Sequence, residues 1–310
     1  LLIALSMLAL NGCAPTRTTS GGAVGVDREQ MMLVSSAEVN SSAEKAYAQT
    51  IQEARAKNRL NRDPGQVQRV RAIAARLTVQ TAVFRNDAPA WRWETNVISS
   101  DDLNAWCMPG GKMAVYTGLI DKLALTDDEL AAVMGHEIAH ALREHGREKV
   151  GQAAGVNLAA TIGGVIGSYY GVDASIGKGV VGAAGELAFM RPNSRGMEQE
   201  ADRIGLLNLE KAGYDPRAMP SMFERLMRQY RYDSKPPEFL LTHPVTESRI
   251  ADTRNRAEQY PKGGKEDSLR YELMRARVRH DFTERLHQIF LGKRYRHMQR
   301  TVVGSHGHKA

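Results

Sequence analysis

The chain has 310 residues, 42% hydrophobic residues and a formal net charge of +7, enough for one large domain with an appendage or for two modest domains. The charge is lopsided. Residues 254–310 hold 14 Lys/Arg against 6 Asp/Glu, a net of +8, which leaves −1 for residues 1–253. A near-neutral main body and a basic tail with no nucleic-acid motif beside it argue against a nucleic-acid partner, and a solvated helix face accounts for the tail.

The apolar run at residues 1–10, followed by Gly12-Cys13 and a Thr/Ser/Gly-rich stretch, reads as a bacterial lipoprotein signal truncated at its front. It spans residues 1–13, with Cys13 as the lipidation site. Residues 14–35 then read as a flexible tether. An ordinary secretory signal with an incidental cysteine competes with this reading, and either one exports the protein. Ala14 after the cysteine points to the outer membrane, so a lipid-anchored, periplasm-facing protein is expected. The other cysteine, Cys107, then has no partner, and the domain must be held by its core.

The Ala/Glu/Lys-rich run from Ser36 to Leu60 predicts a helix. Asp63-Pro64 opens a second one, with Val67, Val70, Ile73 and Leu77 at helical spacing. Trp91, Trp93, Thr95 and Val97 alternate with polar neighbours and predict a strand; Pro109-Gly110-Gly111 gives a turn before a second strand, Met113–Thr117. Thr126 and Glu129 form a capping box, and acidic residues in the first turn suit the helix dipole, so a helix begins near Asp127. Residues 150–172 carry no charge over 23 positions, long enough to span a bilayer. Six glycines with Gln152 and Asn157 make the stretch only weakly apolar, and a crossing would separate residues 136–140 from residue 198, so a buried or interfacial helix is expected instead. Beyond Pro261 a helical pattern resumes at Tyr271, Met274, Val278, Phe282, Leu286 and Ile289. The main domain is thus residues 36–260, and residues 261–310 form a basic helical extension with a disordered tail. The fold class is α+β, mostly helical, with a small sheet beside the helix that begins near Asp127.

That helix carries His136-Glu137-Ile138-Ala139-His140. Residues four apart differ by about 40° of rotation, so both imidazoles leave one face and reach one zinc ion. Glu137 sits beside the open coordination position, where it can take a proton from the attacking water and pass it to the leaving amine. A solvent-facing helix with incidental histidines is the competing explanation; Ala131, Ala132, Val133, Met134, Ile138 and Leu142 count against it. A catalytic zinc needs a third ligand. His145, five residues after His140, lies about 140° round an ideal helix and reads as a surface or packing residue. Glu198 and Asp202, four apart in Glu198-x-x-Ala201-Asp202, supply the better candidate: Glu198 as ligand, with Asp202 accepting from the outer nitrogen of a ligating histidine. Glu200 points away from Glu198 and reads as a salt-bridge residue.

Four stretches occur in order: LNAWCMPGGKMAVYTGLI, LTDDELAAVMGHEIAHALREH, EQEADRIG and HPVTESRI. Together they resemble the gluzincin metallopeptidase family that includes the CAAX prenyl proteases, and most closely its soluble bacterial envelope branch. The likeness covers roughly residues 40–260 and implies a zincin-like fold. It also implies zinc on His136, His140 and Glu198, with Glu137 as catalytic base. Asn104 and Ala105 would fall on an edge strand that holds extended substrate by strand addition. His243 and Arg249 match a segment lying over the active site, where the histidine either stabilises the oxyanion or swings onto the metal and shuts the site; Arg249 would bind substrate. Longer members carry a tetratricopeptide domain, whereas about 50 residues follow here, room for little more than one helical pair.

The function expected is a zinc-dependent endopeptidase of the bacterial cell envelope acting on unfolded or misassembled envelope proteins. The alternative is a chaperone-like assembly factor for outer-membrane proteins with a largely latent metal site. Contact with assembly machinery is compatible with either.

Overall fold

The computed structural model describes residues 15–22, 24–153, 193–231 and 236–261. The expected signal peptide with Cys13, most of the Gly/Ala-rich stretch and the C-terminal extension lie outside the described residues. Among the described residues no helix is long and apolar enough to cross a membrane.

The fold is mostly helical α+β around one three-stranded sheet. Strand β3 (Glu94–Ile98) runs parallel to the central β5 (Lys112–Tyr116), which pairs antiparallel with β4 (Ala105–Met108) in the register Ala105↔Val115. Side chains alternate between two cores. Ala105, Cys107, Met113 and Val115 enter the main one, while Trp106, Met108, Ala114 and Tyr116 enter a smaller one. Both faces are therefore covered, and the strands read as continuous apolar runs rather than as polar alternation. For this reason β4, with Ala-Trp-Cys-Met, gives no periodic signal. Trp91 and Trp93, expected in the first strand, instead stack on each other at 5.5 Å just before β3.

Helix α1 (Ser36–Ala56) starts at a Ser35/Glu38 capping box and covers the smaller core with Val39, Ala43, Tyr47 and Ile51. Helix α2 (Pro64–Val79), capped by Asp63, buries the Val67, Val70, Ile73 and Leu77 stripe in the main core. Helix α3 (Thr117–Lys122) follows β5 directly. Gly118 in its first turn lies against the chain that leads into β4: a Cβ there would come 2.4 Å from Asp101 O and 2.5 Å from Asp102 O. Neither carbonyl is a flexible tip. Gly118→Ala should therefore lower stability by about 1–3 kcal/mol, the usual cost of overpacking, read as a drop in the thermal midpoint; an unchanged midpoint would mean that loop yields freely.

Helix α4 (Asp127–Leu142) begins at the Thr126/Glu129 capping box and is buried on every side from Glu129 to Leu142. A helix covered all round is the centre of a core. Glu129 is tolerated there because Ser221 Oγ (2.7 Å) and Arg225 Nε (2.5 Å) donate to it. Helix α6 (Arg195–Ala212) packs across α4 with Gly135 and Gly205 at the contact, where a Cβ on Gly205 would meet His136 N at 3.4 Å. Gly213, at φ 77°, ends α6 in the left-handed conformation. Helix α7 (Ala218–Tyr230), the short α8 (Glu238–Thr242) and α9 (Glu247–Ala257) close the other side.

Residues 15–34, expected as a tether, are largely packed in place. Strands β1 (Pro15–Thr16) and β2 (Gln30–Met31) form a hairpin, and Thr19, Val26, Gln30, Met32 and Val34 are buried. The small polar composition that suggests a linker is used here to satisfy buried partners: Gln30 Nε2 donates to Arg143 O (2.7 Å) and to Glu148 (2.8 Å).

Candidate active site

His136 and His140 leave α4 on one face, with their Nε2 atoms 3.0 Å apart. The close crossing of α4 and α6 brings Glu198 to them: Oε2 is 3.4 Å from His136 Nε2 and Oε1 is 3.2 Å from His140 Nε2. His243, at the end of α8, sets Nδ1 3.0 Å from Glu198 Oε1 and 3.3 Å from His136 Nε2. All four side chains are buried, and their ligand atoms lie within 4.8 Å of one another. Ligand atoms at about 2.1 Å from a tetrahedral ion stand about 3.4 Å apart, so two imidazoles, a carboxylate and a further imidazole at these separations fit one zinc ion. Phe239 stacks on His243 at 4.6 Å, and Phe223 meets the His136 ring edge-on at 6.4 Å, so the cluster has an apolar wall.

The charges suit a cation. Burial would raise Glu198, but Arg249 and the three histidines outweigh it and hold the carboxylate well below its ordinary range. Burial opposes charge on His136 as well, yet Glu198 and Asp202 lift its imidazolium to about 9. His140 goes the other way, driven well down by burial. Glu137 differs from all of them. It is 1% exposed, and its Oε1 has no hydrogen-bond donor among the described residues. The nearest ring nitrogen, His243 Nε2, is 3.4 Å away. Burial pushes its carboxyl up.

Asp202 Oδ1 lies 3.0 Å from His136 Nδ1, the nitrogen remote from the cluster. Arg249, expected to meet substrate, is buried among carboxylates. Its Nε and Nη2 reach the two oxygens of Asp202 at 2.6 and 2.7 Å, and its Nη1 reaches Glu198 Oε2 at 2.5 Å and Pro244 O at 3.1 Å. This guanidinium is 5% exposed and committed to Glu198 and Asp202. Asn193 Nδ2 donates to Glu198 Oε1 (2.7 Å) and lies 3.3 Å from His243 Nδ1, with Lys149 Nζ behind it at 3.3 Å. Sequence spacing gives no sign of Asn193, because only the fold brings it to the cluster.

Strand β4 forms one edge of the sheet, with Ala105 its first residue and Asn104 just before it. Tyr116 N donates to Asn104 O (3.1 Å), so ladder alternation turns Ala105 and Cys107 outward. The outer side of Ala105 is not bare: its N–H donates to Asn104 Oδ1 at 2.9 Å, and Phe239 N donates to the preceding Leu103 O. Both Asn104 and Ala105 are buried.

Of the two readings open for His145, surface or packing residue, the structure shows packing. The side chain is fully buried, with Nδ1 2.8 Å from His140 Nδ1 and Nε2 3.0 Å from Glu200 Oε2. The ideal-helix argument fails because α4 stops at Leu142. Glu144 takes a positive φ of 50°, braced by Arg85 and Arg147, and a separate helix, α5 (His145–Ala153), begins after it. No glycine at residue 144 announces the break. Glu200 does form ion pairs, with Arg28 and with Arg143 (2.9 Å), and it also meets His145. Burial alone would raise its carboxyl, but His145 and the two arginines hold it down to about 2.

Comparison with known proteins agrees with this geometry. The chain is 40% identical over 185 residues to a putative beta-barrel assembly-enhancing protease of Vibrio cholerae, covering 59% of this chain and 38% of that protein. It is 41% identical over 168 residues to the beta-barrel assembly-enhancing protease of Escherichia coli (strain K12), covering 53% and 34%. A mitochondrial metalloendopeptidase OMA1 of Bos taurus is 36% identical over 161 residues, covering 49% and 30%. The chain thus spans between 30% and 38% of the length of these curated relatives. The family model of peptidase family M48 matches residues 64–257, a stretch that holds every residue of the cluster. The chain belongs to peptidase family M48.

Proposed function

We propose that the chain is a zinc-dependent endopeptidase of the bacterial cell envelope that hydrolyses unfolded or misassembled envelope proteins. The observation that carries this reading is Glu137, whose buried Oε1 has no hydrogen-bond donor among the described residues, beside the point on which His136, His140 and Glu198 converge. His136, His140 and Glu198 would hold zinc, which would supply Lewis acidity for the carbonyl and the attacking water. Glu137 takes the proton of the attacking water and returns it to the leaving amine. Asp202 holds the His136 ring through Nδ1, while Arg249 and Asn193 fix Glu198. The outward backbone of β4 aligns an extended chain by strand addition, which reads main chain more than side chain and so favours unfolded substrates. The names of the bacterial relatives, with the lipoprotein-like run ending at Cys13, support an anchor in the outer membrane and a periplasm-facing site.

The position of His243 supports a second state. Its Nδ1 stands with the three ligand side chains, and its Nε2 faces Glu137, an arrangement that shuts the site and fits the alternative of a chaperone-like assembly factor with latent chemistry. The test is to incubate the full chain with an outer-membrane β-barrel protein, unfolded or folded, with and without a zinc chelator. Cleavage of the unfolded form alone, lost to the chelator, restored by zinc and raised several-fold by His243→Ala, is expected. Zinc binding with suppressed aggregation, but no cleavage even in His243→Ala, would favour the assembly-factor reading. Equal cleavage of the folded form would rule out the substrate class.

A further inference from the structure

Resting on the metal-site reading above, we infer that His145 and Glu200 form a positioning relay that sets the tautomer of His140. The geometry leaves little freedom. His145 Nδ1 and His140 Nδ1 are 2.8 Å apart, so one carries a proton and the other accepts it. The far side of His145 decides which. Its Nε2 lies 3.0 Å from Glu200 Oε2, and the Glu200 carboxylate also meets the guanidinium groups of Arg28 and Arg143. Between two such cations it is an acceptor only. His145 therefore carries its proton on Nε2 and presents a bare Nδ1. That nitrogen accepts from His140 Nδ1–H, which leaves the His140 Nε2 lone pair aimed at Glu198 and His136. The second histidine reaches the same end by a shorter route, with Asp202 directly on His136 Nδ1.

The relay is tied to the N-terminal hairpin. Arg28 bridges Glu200 and Glu148, Arg143 donates back to Arg28 O (3.0 Å) and to Thr19 Oγ1 (3.2 Å), and Gln30 completes the ring through Arg143 O and Glu148. The break at Glu144 is what allows this, since a continuous helix would turn His145 away. Residues 15–34 thus hold a carboxylate two bonds removed from a metal ligand, and they belong to the support of the site.

Supporting carboxylates and histidines of this kind change metal affinity by about 10–100-fold when removed. In the full chain, His145→Leu should weaken zinc binding by about that factor in chelator competition. His145→Gln, whose amide can donate to Glu200 and accept from His140, should recover most of it. Zinc affinity unchanged in a folded His145→Leu variant would overturn the inference, as would equal losses in the Leu and Gln variants. Nitrogen-15 NMR of the histidine rings in the zinc-loaded wild-type chain tests the same claim without a variant. Protons on His140 Nδ1 and on His145 Nε2 are expected, and a proton on His145 Nδ1 would overturn it even if neither variant folds.

Discussion

Glu137→Gln is expected to slow peptide hydrolysis by about 10²–10⁴-fold, the usual contribution of a general base, while leaving one zinc per chain and raising thermal stability. The two effects share one cause. Glu137 is desolvated, and its Oε1 meets no donor among the described residues, so the folded protein bears the cost of a buried, unsatisfied acceptor. A neutral amide of the same shape removes the charge from that site and with it the capacity to take a proton. A group that stabilises the fold would behave in the opposite way, and so would a mere salt-bridge residue. The measurement is casein cleavage beside a melting curve and a zinc assay on the same preparation. Lost cleavage with a higher midpoint and full zinc content identifies the base; retained cleavage removes Glu137 from the mechanism. Lost cleavage with a lower midpoint would mean that the carboxylate holds structure, and the hydrolytic role would then need another residue.

The features legible in the sequence are those whose geometry is local. The Thr126/Glu129 box fixes where α4 starts, and four-residue spacing alone puts His136 with His140 and Glu198 with Asp202 on common faces. What sequence spacing cannot supply is the joining of elements far apart in the chain. Asn193 and Arg249 reach Glu198 only because α6, α8 and α9 close over α4, and Arg28 reaches Glu200 across 172 positions of sequence. Strand β4, implied only by the family resemblance, shows no periodicity for another reason: with Trp106 in one core and Cys107 in the other, both faces are apolar and the two-residue period vanishes. The contact of His145 with His140 is illegible because the helix does not continue through Glu144, whose left-handed φ is held by Arg85 and Arg147 and not by any local propensity. The hairpin built from residues 15–34 is illegible in the same sense, since composition describes a linker and only partners make it a structure.

Arg249→Ala is expected to cost the metal-free protein about 3–5 kcal/mol, the penalty for stripping the partner from a buried ion pair. Arg249 serves two carboxylates at once, Glu198 and Asp202, each at most 2% exposed. Burial would raise both carboxyls, and this guanidinium is the foremost group holding them down. The sign of the pH dependence follows. A carboxylate whose folded pKa is depressed contributes stability above its ordinary range and loses it as pH falls toward the folded value. The deficit of the variant should therefore be full above about pH 5 and shrink in acid. Zinc held by His136, His140 and Glu198 would supply positive charge to the same two carboxylates, so saturating zinc should raise the midpoint more in the variant than in wild type. Arg249→Lys should fall between the two, because an ammonium keeps the charge but cannot span both carboxylates as a planar fork does. Melting curves of the three proteins at neutral and acid pH, with and without zinc, decide it. A deficit that is independent of both pH and zinc would mean that Arg249 acts through its packing on Phe223, 4.4 Å from the ring centre, and not through the carboxylates.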